Sequence, residues 1–182
     1  MIFTATTIAD AFIIDLETRS DERGFFARAF CRREFEQHGL NPEVAQCNLS
    51  LSVRAGTLRG MHFQVPPHEE AKLIRCTQGA LYDVALDLRP DSVSYLRWVG
   101  VELTAENRRL LYVPEGCAHG FQTLLPNTEV FYQLSSAYAP EAEGGYRWDD
   151  EAFGIEWPEA ADRTISERDV QWPDYERVDV PA

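Results

Sequence analysis

Apolar and polar residues alternate in short runs through the middle of the chain. In ALYDVALDL, which begins at Ala80, Tyr82, Val84 and Leu86 fall on one side and Asp83 falls on the other. A period of two predicts a β-strand, here with one face buried. Similar runs predict further strands at 73–77, 97–103, 109–114, 120–125 and 129–138.

Turn residues separate these runs, and helical patterning is weak. Residues 32–38, followed by Gly39, predict one short helix, and residues 104–107 predict a single capped turn. Many short strands between frequent turns indicate an all-β sandwich or barrel, for which the jelly roll is one solution. We expect one domain over 1–182, with a jelly-roll core at about 45–140 and acidic loops and short helices over 140–182.

Composition narrows the class of protein. Hydrophobic residues make up 45% and charged residues 26%, as in ordinary globular chains. No window approaches the roughly 18 apolar residues of a membrane span, and the first residues lack the basic start of a signal peptide. We therefore expect a soluble cytoplasmic protein. Its four unevenly spaced cysteines predict buried reduced thiols.

The charge balance excludes one group of partners. The net charge of −13 argues against DNA and RNA, whose binding requires a cationic surface, and we expect no nucleic-acid or membrane partner. A small anionic ligand needs only a local basic pocket, so it stays possible. The single lysine of the chain, Lys72, stands among sixteen arginines, thirteen residues after Arg59 and ten after His62. The Pro66-Pro67 loop lies between His62 and Lys72 and joins two predicted strands. This predicts that the side chains of all three residues reach one end of the barrel.

Two further residues are candidates for chemistry. His119 lies in PEGCAHGF, and Tyr132 shares the inward face of its predicted strand with Val130 and Leu134. Each has an ordinary structural alternative, since a lone buried histidine or tyrosine is most often a core residue with one hydrogen-bond partner.

The PEGxxH run matches the second motif of cupin barrels, in which the histidine is often a metal ligand. The first cupin motif would supply His-x-His and a glutamate, but this chain has Gln64 where the second histidine would stand. Three protein ligands are the usual minimum for a catalytic metal, so we expect neither metal nor cofactor.

Collinear motifs along nearly the whole chain resemble the nucleotide-sugar 3,5-epimerases. The motifs are DERGFF (21–26), QCN (46–48), GTLRGMHFQ (56–64), AKLIRCTQGALYDVALDLR (71–89), NRRLLYVPEGCAHGFQTL (107–124), YAPEAEGGYRWDD (138–150), FGIEWP (153–158) and ISERD (165–169). The resemblance implies a metal-free cupin-type jelly-roll barrel that works as a homodimer. It also implies a nucleotide-sugar substrate, for which we expect a dTDP-linked sugar.

The resemblance further implies roles for individual residues. His62 matches the catalytic base, Asp169 the carboxylate that orients it, Lys72 the cation at the C4 ketone, and Tyr132 the acid on the opposite face of the sugar. The positions that match binding residues are Arg23, Gln46, Asn48, Arg59, His119, Tyr138 and Glu143. Two departures, Arg28 in place of a common glutamate and Arg168 in place of a common lysine, would alter which nucleotide or sugar is accepted.

These residue types suit inversion of a carbon next to a ketone. A neutral histidine has an unperturbed pKa of about 6.5 and can remove the proton, and a tyrosine of pKa about 10 can return one from the other face. Two alternatives stay open: a mono-epimerase acting at C3 or C5 alone, and a metal-dependent cupin oxygenase or isomerase. A non-catalytic nucleotide-sugar sensor is disfavoured, because a sensor has no need of a complete proton-transfer set.

Overall fold

Two antiparallel β-sheets form the body of the computed structural model, which describes residues 1–176. The predicted loops at 177–182 lie outside the described residues. The strands are β1 (Ile2–Ala5), β2 (Phe12–Asp15), β3 (Arg19–Asp21), β4 (Gly24–Phe26), β5 (Gln46–Ser52), β6 (Thr57–Gln64), β7 (Lys72–Gln78), β8 (Ala80–Asp87), β9 (Trp98–Thr104), β10 (Leu110–Val113), β11 (Cys117–Thr123), β12 (Thr128–Leu134), β13 (Glu143–Gly145) and β14 (Thr164–Ile165). The helices are α1 (Arg32–Gln37) and α2 (Glu167–Val170), with a 3₁₀ turn at Pro140–Ala142.

The two sheets pack face to face around a shared core. The first sheet has the order β1-β2-β10-β7-β12-β5, and the second has the order β13-β6-β11-β8-β9 with β14 parallel to β6. Ile74 and Val130 from the first sheet meet Leu81 and Phe121 from the second in one buried cluster. The predicted all-β barrel is therefore confirmed. Strands β1 and β2 extend the first sheet from residues that precede the predicted start of the core.

The prediction that strand β8 buries only one face is wrong. Val84 and Leu86 pack outward against the C-terminal segment, in a cluster with Phe153. Asp83 and Ala85, on the other face, are fully buried toward the barrel interior. Because residues after Gly145 cover the outer face, the more apolar side of the strand packs there, and the inner side is free to carry an acid.

The short predicted elements have mixed outcomes. Helix α1 forms where expected and is followed by Gly39, whose φ of 71° favours glycine. Residues 104–107 form a hydrogen-bonded turn, in which Thr104 Oγ1 accepts from the backbone of Asn107 at 2.8 Å. The four cysteines are free thiols, of which Cys76 and Cys117 are buried and the other two are not. No helix within residues 1–176 is long and apolar enough to cross a membrane.

Candidate active site

Strands β6 and β11 bring two histidines side by side on the inner face of the second sheet. His62 and His119 are direct cross-strand partners. The strands approach closely next to this pair, since a Cβ on Gly60 would lie 2.6 Å from the Cα of Gly120. Gly60 also has a φ of 139°, a conformation that L side chains rarely adopt. The motif RGMH therefore needs its glycine to place His62.

A cavity of about 360 Å³ opens between the sheets and collects most of the predicted site residues. It is lined by Gln46, Asn48, Arg59, His62, Lys72, His119, Tyr132, Tyr138, Glu143, Arg168 and Asp169. Ser50, Glu70 and Ser166 also line it and were not predicted as site residues. Of the predicted residues, the structure leaves only Arg23 and Arg28 away from this cavity.

His62 forms a close pair with Asp169. Its Nε2 lies 2.7 Å from Asp169 Oδ1, and its side chain is 32% exposed, on the cavity side. Burial raises the pKa of Asp169, but hydrogen bonds from His62 and Ser166 and the attraction of the imidazole outweigh burial and hold that pKa below its ordinary value. An ionised carboxylate can only accept, so His62 Nε2 donates. The remaining ring nitrogen of neutral His62 is then free to accept a proton.

The first turn of helix α2 places Asp169. Ser166 caps this helix, and its Oγ accepts from the backbone N–H of Asp169 at 3.1 Å. Strand β14, just before the cap, pairs with the start of β6. The chain thus returns 107 residues after His62 to deliver its carboxylate.

Tyr132 approaches the cavity from the opposite sheet. It lies on β12, its ring is 6.2 Å from the ring of His119, and its hydroxyl is 3.0 Å from Ser50 Oγ. Although part of the side chain reaches the cavity, burial raises the pKa of Tyr132 well above its ordinary value, and the Ser50 hydrogen bond only partly offsets this. Tyr132 is therefore a neutral phenol at working pH.

Lys72 is a buried cation at the start of β7. It is 7% exposed, and its Nζ lies 3.2 Å from Glu70 Oε1 and 3.3 Å from the backbone oxygen of His62. A buried ammonium is stable only when paired, and Glu70 supplies the pairing. The same contacts aim the ammonium into the cavity beside His62.

A second imidazole–carboxylate pair lies behind the first. His119 Nε2 is 2.7 Å from Asp83 Oδ1, and both side chains are buried. Among the described residues, Asp83 Oδ2 has no hydrogen-bond partner. Sequence reasoning missed Asp83, although an acid within the apolar run ALYDVALDL was an available signal.

Polar groups at the mouth of the cavity form one hydrogen-bonded rim. Gln46 Oε1 accepts from the backbone of Tyr138 at 2.9 Å, and Glu143 contacts both the Tyr138 hydroxyl and the Arg168 guanidinium. Burial raises the pKa of Glu143, but these two partners and His62 outweigh it and lower that pKa overall.

Arg23 and Arg28 lie elsewhere in this chain. Arg23 is on the exposed β3–β4 hairpin, with its guanidinium paired to Asp21 at 2.6 Å. Arg28 is paired to Glu34 at 2.8 Å beside the first residue of the chain. Within the part of the chain that the structure describes, no three His, Cys, Asp or Glu residues come together as a metal-binding group.

A two-sheet barrel with ionisable side chains on both inner faces of one cavity is the architecture of cupin-like enzymes. A family model described as dTDP-4-dehydrorhamnose 3,5-epimerase matches residues 5–177. The chain belongs to this family, and the predicted resemblance and cupin-type jelly-roll fold are confirmed.

Similar proteins support the assignment at both the sequence and the fold level. The dTDP-4-dehydrorhamnose 3,5-epimerase of Sinorhizobium fredii is 42% identical over 95% of this chain and 89% of its own length. The enzyme of the same name from Elizabethkingia anophelis has a TM-score of 0.93 at 38% identity, with 96% of each chain covered. An epimerase from Legionella pneumophila in complex with dTDP-4-keto-L-rhamnose has a TM-score of 0.88 at 34% identity, covering 95% of this chain and 92% of that one.

Proposed function

We propose that this protein inverts C3 and C5 of a dTDP-4-keto-6-deoxyhexose by proton transfer through an enolate. The observation that carries the proposal is His62 on one sheet, paired with Asp169 of helix α2, with Tyr132 on the facing sheet and the Lys72 ammonium in the same cavity. The family match and the relatives that share this activity support the same reaction.

In the first step, the free ring nitrogen of His62 removes the proton from the carbon next to the C4 ketone. The imidazole becomes an imidazolium, and Asp169, 2.7 Å away and ionised, stabilises the new charge. Positioned acid–base groups of this kind typically contribute about 10²- to 10⁴-fold in rate.

The electron pair of the broken C–H bond moves onto the C4 oxygen, giving an enolate. The Lys72 Nζ lies 3.3 Å from the backbone oxygen of His62, and this ammonium would hold the C4 oxygen as negative charge develops. A compact ammonium places its charge on one atom, whereas a guanidinium spreads its donors in a wide fork. This difference accounts for a lysine in a chain that otherwise uses arginine.

Reprotonation from the opposite face completes the inversion. Tyr132 donates its phenolic proton to the carbon, and its raised pKa keeps that proton available at neutral pH. The diphosphate and base would bind at the rim, where Arg59, Gln46 and Asn48 supply donors and the exposed Tyr138 ring suits stacking on thymine.

The test is incubation of the purified protein with dTDP-4-keto-6-deoxyglucose in D₂O, followed by NMR. We expect deuterium at both C3 and C5 together with inverted product. Deuterium and inversion at one carbon only would identify a mono-epimerase, and no deuterium at either would overturn the proposal.

Two variants assign the steps. His62→Asn should abolish both exchange and inversion. Tyr132→Phe should leave exchange but block inversion at C5, because the base remains while the opposing acid is lost. Tyr82→Phe is the matched control, since Tyr82 lies on the outer face of β8 beside Trp157. Unchanged C5 product from Tyr132→Phe would remove this residue from the role of acid.

We also propose that the protein works as a homodimer. Strand β5 is at the edge of its sheet and exposes Leu49 (63%) and Leu51 (53%), and the β3–β4 hairpin exposes Phe26 (73%). Arg23 matches a binding position yet lies outside the cavity of its own chain. A second copy that receives the hairpin would bury these apolar groups and bring Arg23 to a cavity. The cytoplasmic location stays a prediction from the sequence.

A further inference from the structure

Trp172 packs beside His62, and its indole occupies space that is open because residue 145 is a glycine. The indole and imidazole ring centres are 6.3 Å apart at 64°, an edge-on contact. Gly145 is the cross-strand partner of His62, and a Cβ on Gly145 would lie 2.4 Å from an indole carbon of Trp172. The indole therefore lies directly against the backbone that flanks the catalytic base.

The same short segment carries Trp172 and the carboxylate partner of His62. Trp172 follows Asp169 by three residues, across the last turn of helix α2 and its C-cap at Gln171. Only Val170 and Gln171 separate the two residues, although Trp172 itself lies beyond the end of the helix. The position of the indole on Gly145 thus fixes how far Asp169 can move from His62.

Arg168 also packs on the indole. Its guanidinium carbon lies 5.3 Å from the Trp172 ring centre and the same group forms an ion pair with Glu143. A planar guanidinium can stack on an aromatic ring while it binds a carboxylate, which an ammonium does less well. This gives the Arg168 departure a physical role on the indole.

We propose that Trp172 is a positioning residue that holds Asp169 against His62, an arrangement called the clamp below. Gly145 leaves open the space in which the indole lies, called the seat below. The inference rests on the proposed function of His62 as the base. It concerns the geometry of the His62–Asp169 pair, which can be measured without turnover.

The charged and titratable groups around the pair stay the same in every variant of the test. They are Lys72, whose Nζ lies 3.3 Å from the backbone oxygen of His62, His119 on β11, Glu143 on β13, and Arg168 beside Asp169 on α2. Any change in the state of His62 therefore follows from the positions of the indole, of the Arg168 side chain that packs on it, and of Asp169.

The experiment compares Trp172→Ala with Gly145→Ala, which adds a methyl group where the indole lies. Gly145 has no positive φ, so alanine is compatible with its backbone. We expect each variant to lower kcat by up to about 100-fold, as for a catalytic group moved by about 1 Å, with KM little changed. The double variant should be no worse than Trp172→Ala, because the added methyl group then displaces nothing. Trp172→Phe, which keeps a ring in the seat, should retain most of the activity.

Nitrogen-15 NMR of the His62 ring gives a readout that loss of stability alone would not move. In the unaltered protein we expect one neutral tautomer, with the proton on the nitrogen facing Asp169. Gly145→Ala and Trp172→Ala should give a mixture of tautomers. Gly144→Ala, whose methyl group would press on Phe63 instead, controls for crowding of the same strand and should keep one tautomer.

A single tautomer and unchanged kcat in both Gly145→Ala and Trp172→Ala would overturn the inference. Lower kcat with one tautomer retained would also overturn it, because Trp172 would then be structural. If the unaltered protein shows one tautomer but no epimerase activity, the proposed function fails while the clamp can still be assessed by NMR.

Discussion

Under the proposed function, the buried ammonium of Lys72 is a side chain specified by the reaction rather than by the fold. A group only 7% exposed must offset a large desolvation cost, and Glu70 at 3.2 Å does so. An apolar side chain would fill the same space at the start of β7 without that cost. The charge is therefore retained for what it does in the cavity.

Replacing Lys72 tests this argument. We expect Lys72→Met to lower kcat by about 10²- to 10³-fold, the loss seen when one preorganised donor to a developing oxyanion is removed. Lys72→Arg should lose nearly as much, because its wide fork cannot centre charge on one oxygen. The measurement is kcat at saturating substrate, with thermal unfolding as a check on folding. Near-full turnover in Lys72→Arg would contradict the point-charge argument.

Asp83 leads to a separate prediction about the second imidazole pair. Asp83→Asn keeps the shape of the side chain but removes its charge. The NH₂ group of the asparagine then either faces His119 Nε2 or takes the place of Oδ2, which has no hydrogen-bond partner among the described residues. We expect the free energy of unfolding to fall by about 2 kcal/mol, the worth of a buried hydrogen bond to a charged group. Urea unfolding measures the loss. Asp162→Asn, at an exposed position, should change little, and equal stability of the two variants would contradict the prediction.

The contrast between Asp83 and Asp169 shows which site residues a sequence can reveal. A period of two along its strand is enough to predict that Tyr132 points inward. The spacing of Arg59, His62 and Lys72 is enough to predict that they lie at one end of the barrel. The pairing of Asp169 with His62 joins residues 107 apart, so it came from resemblance alone. Asp83 was missed because its strand is buried on both faces, and alternation then carries no information about which face is inside.

Beyond single residues, the connection from β8 to β9 is held by a buried carboxylate. Asp87 accepts from Arg89 at 2.9 Å, from Ser92 at 2.5 Å and from Ser94 at 2.6 Å. Burial raises the pKa of Asp87, but these hydrogen bonds outweigh burial and lower it to about 2. Arg89 also reaches back to Ala9, which ties this connection to the segment before β2.

This network makes part of the stability depend on pH. The pKa of Asp87 is about 2 in the folded chain against an ordinary 3.8, so its ionisation contributes about 2 kcal/mol above pH 4, which is lost as the pH falls toward 2. Asp87→Asn should lower the free energy of unfolding by about that amount at pH 7, and the gap should narrow between pH 4 and pH 2. Denaturant unfolding across this range is the measurement. The exposed Asp91→Asn variant should show no such gap, and a pH-independent difference for Asp87→Asn would contradict the argument.

Secondary structure was easier to predict than the assembly of the elements. The strands predicted at 73–77 and 129–138 were found, at 72–78 and 128–134, with the second ending four residues earlier than predicted. Strands β1 and β2 were not, since four residues each give too short a period to recognise. Helix α2 has only four residues and depends on Ser166 and on packing against β6. Such elements are set by tertiary contacts rather than by local preference.

At the level of the assembly, the homodimer proposal makes each site depend on both chains. The net charge of −13 means that a nucleotide diphosphate must be held by local cations, of which Arg59, Lys72 and Arg168 line the cavity. Arg23 matches a binding position but is 84% exposed on its hairpin. Under the homodimer proposal, the hairpin of one copy supplies this arginine to the cavity of the other.

Mixed dimers test that arrangement directly. Arg23→Ala and His62→Asn should each be nearly inactive at low substrate concentration, for loss of phosphate binding and of the base. If Arg23 acts across the interface, a mixed dimer has one cavity with both defects and one with neither. Chains mixed in equal amounts should then recover about a quarter of the unaltered activity, because half the dimers are mixed and half their sites are intact.

The two variants would carry different affinity tags and be co-expressed, with initial rates compared before and after isolation of the mixed species. Recovery requires both dimer formation and exchange of the hairpin, so a mixed dimer without activity would show that Arg23 serves its own chain or none.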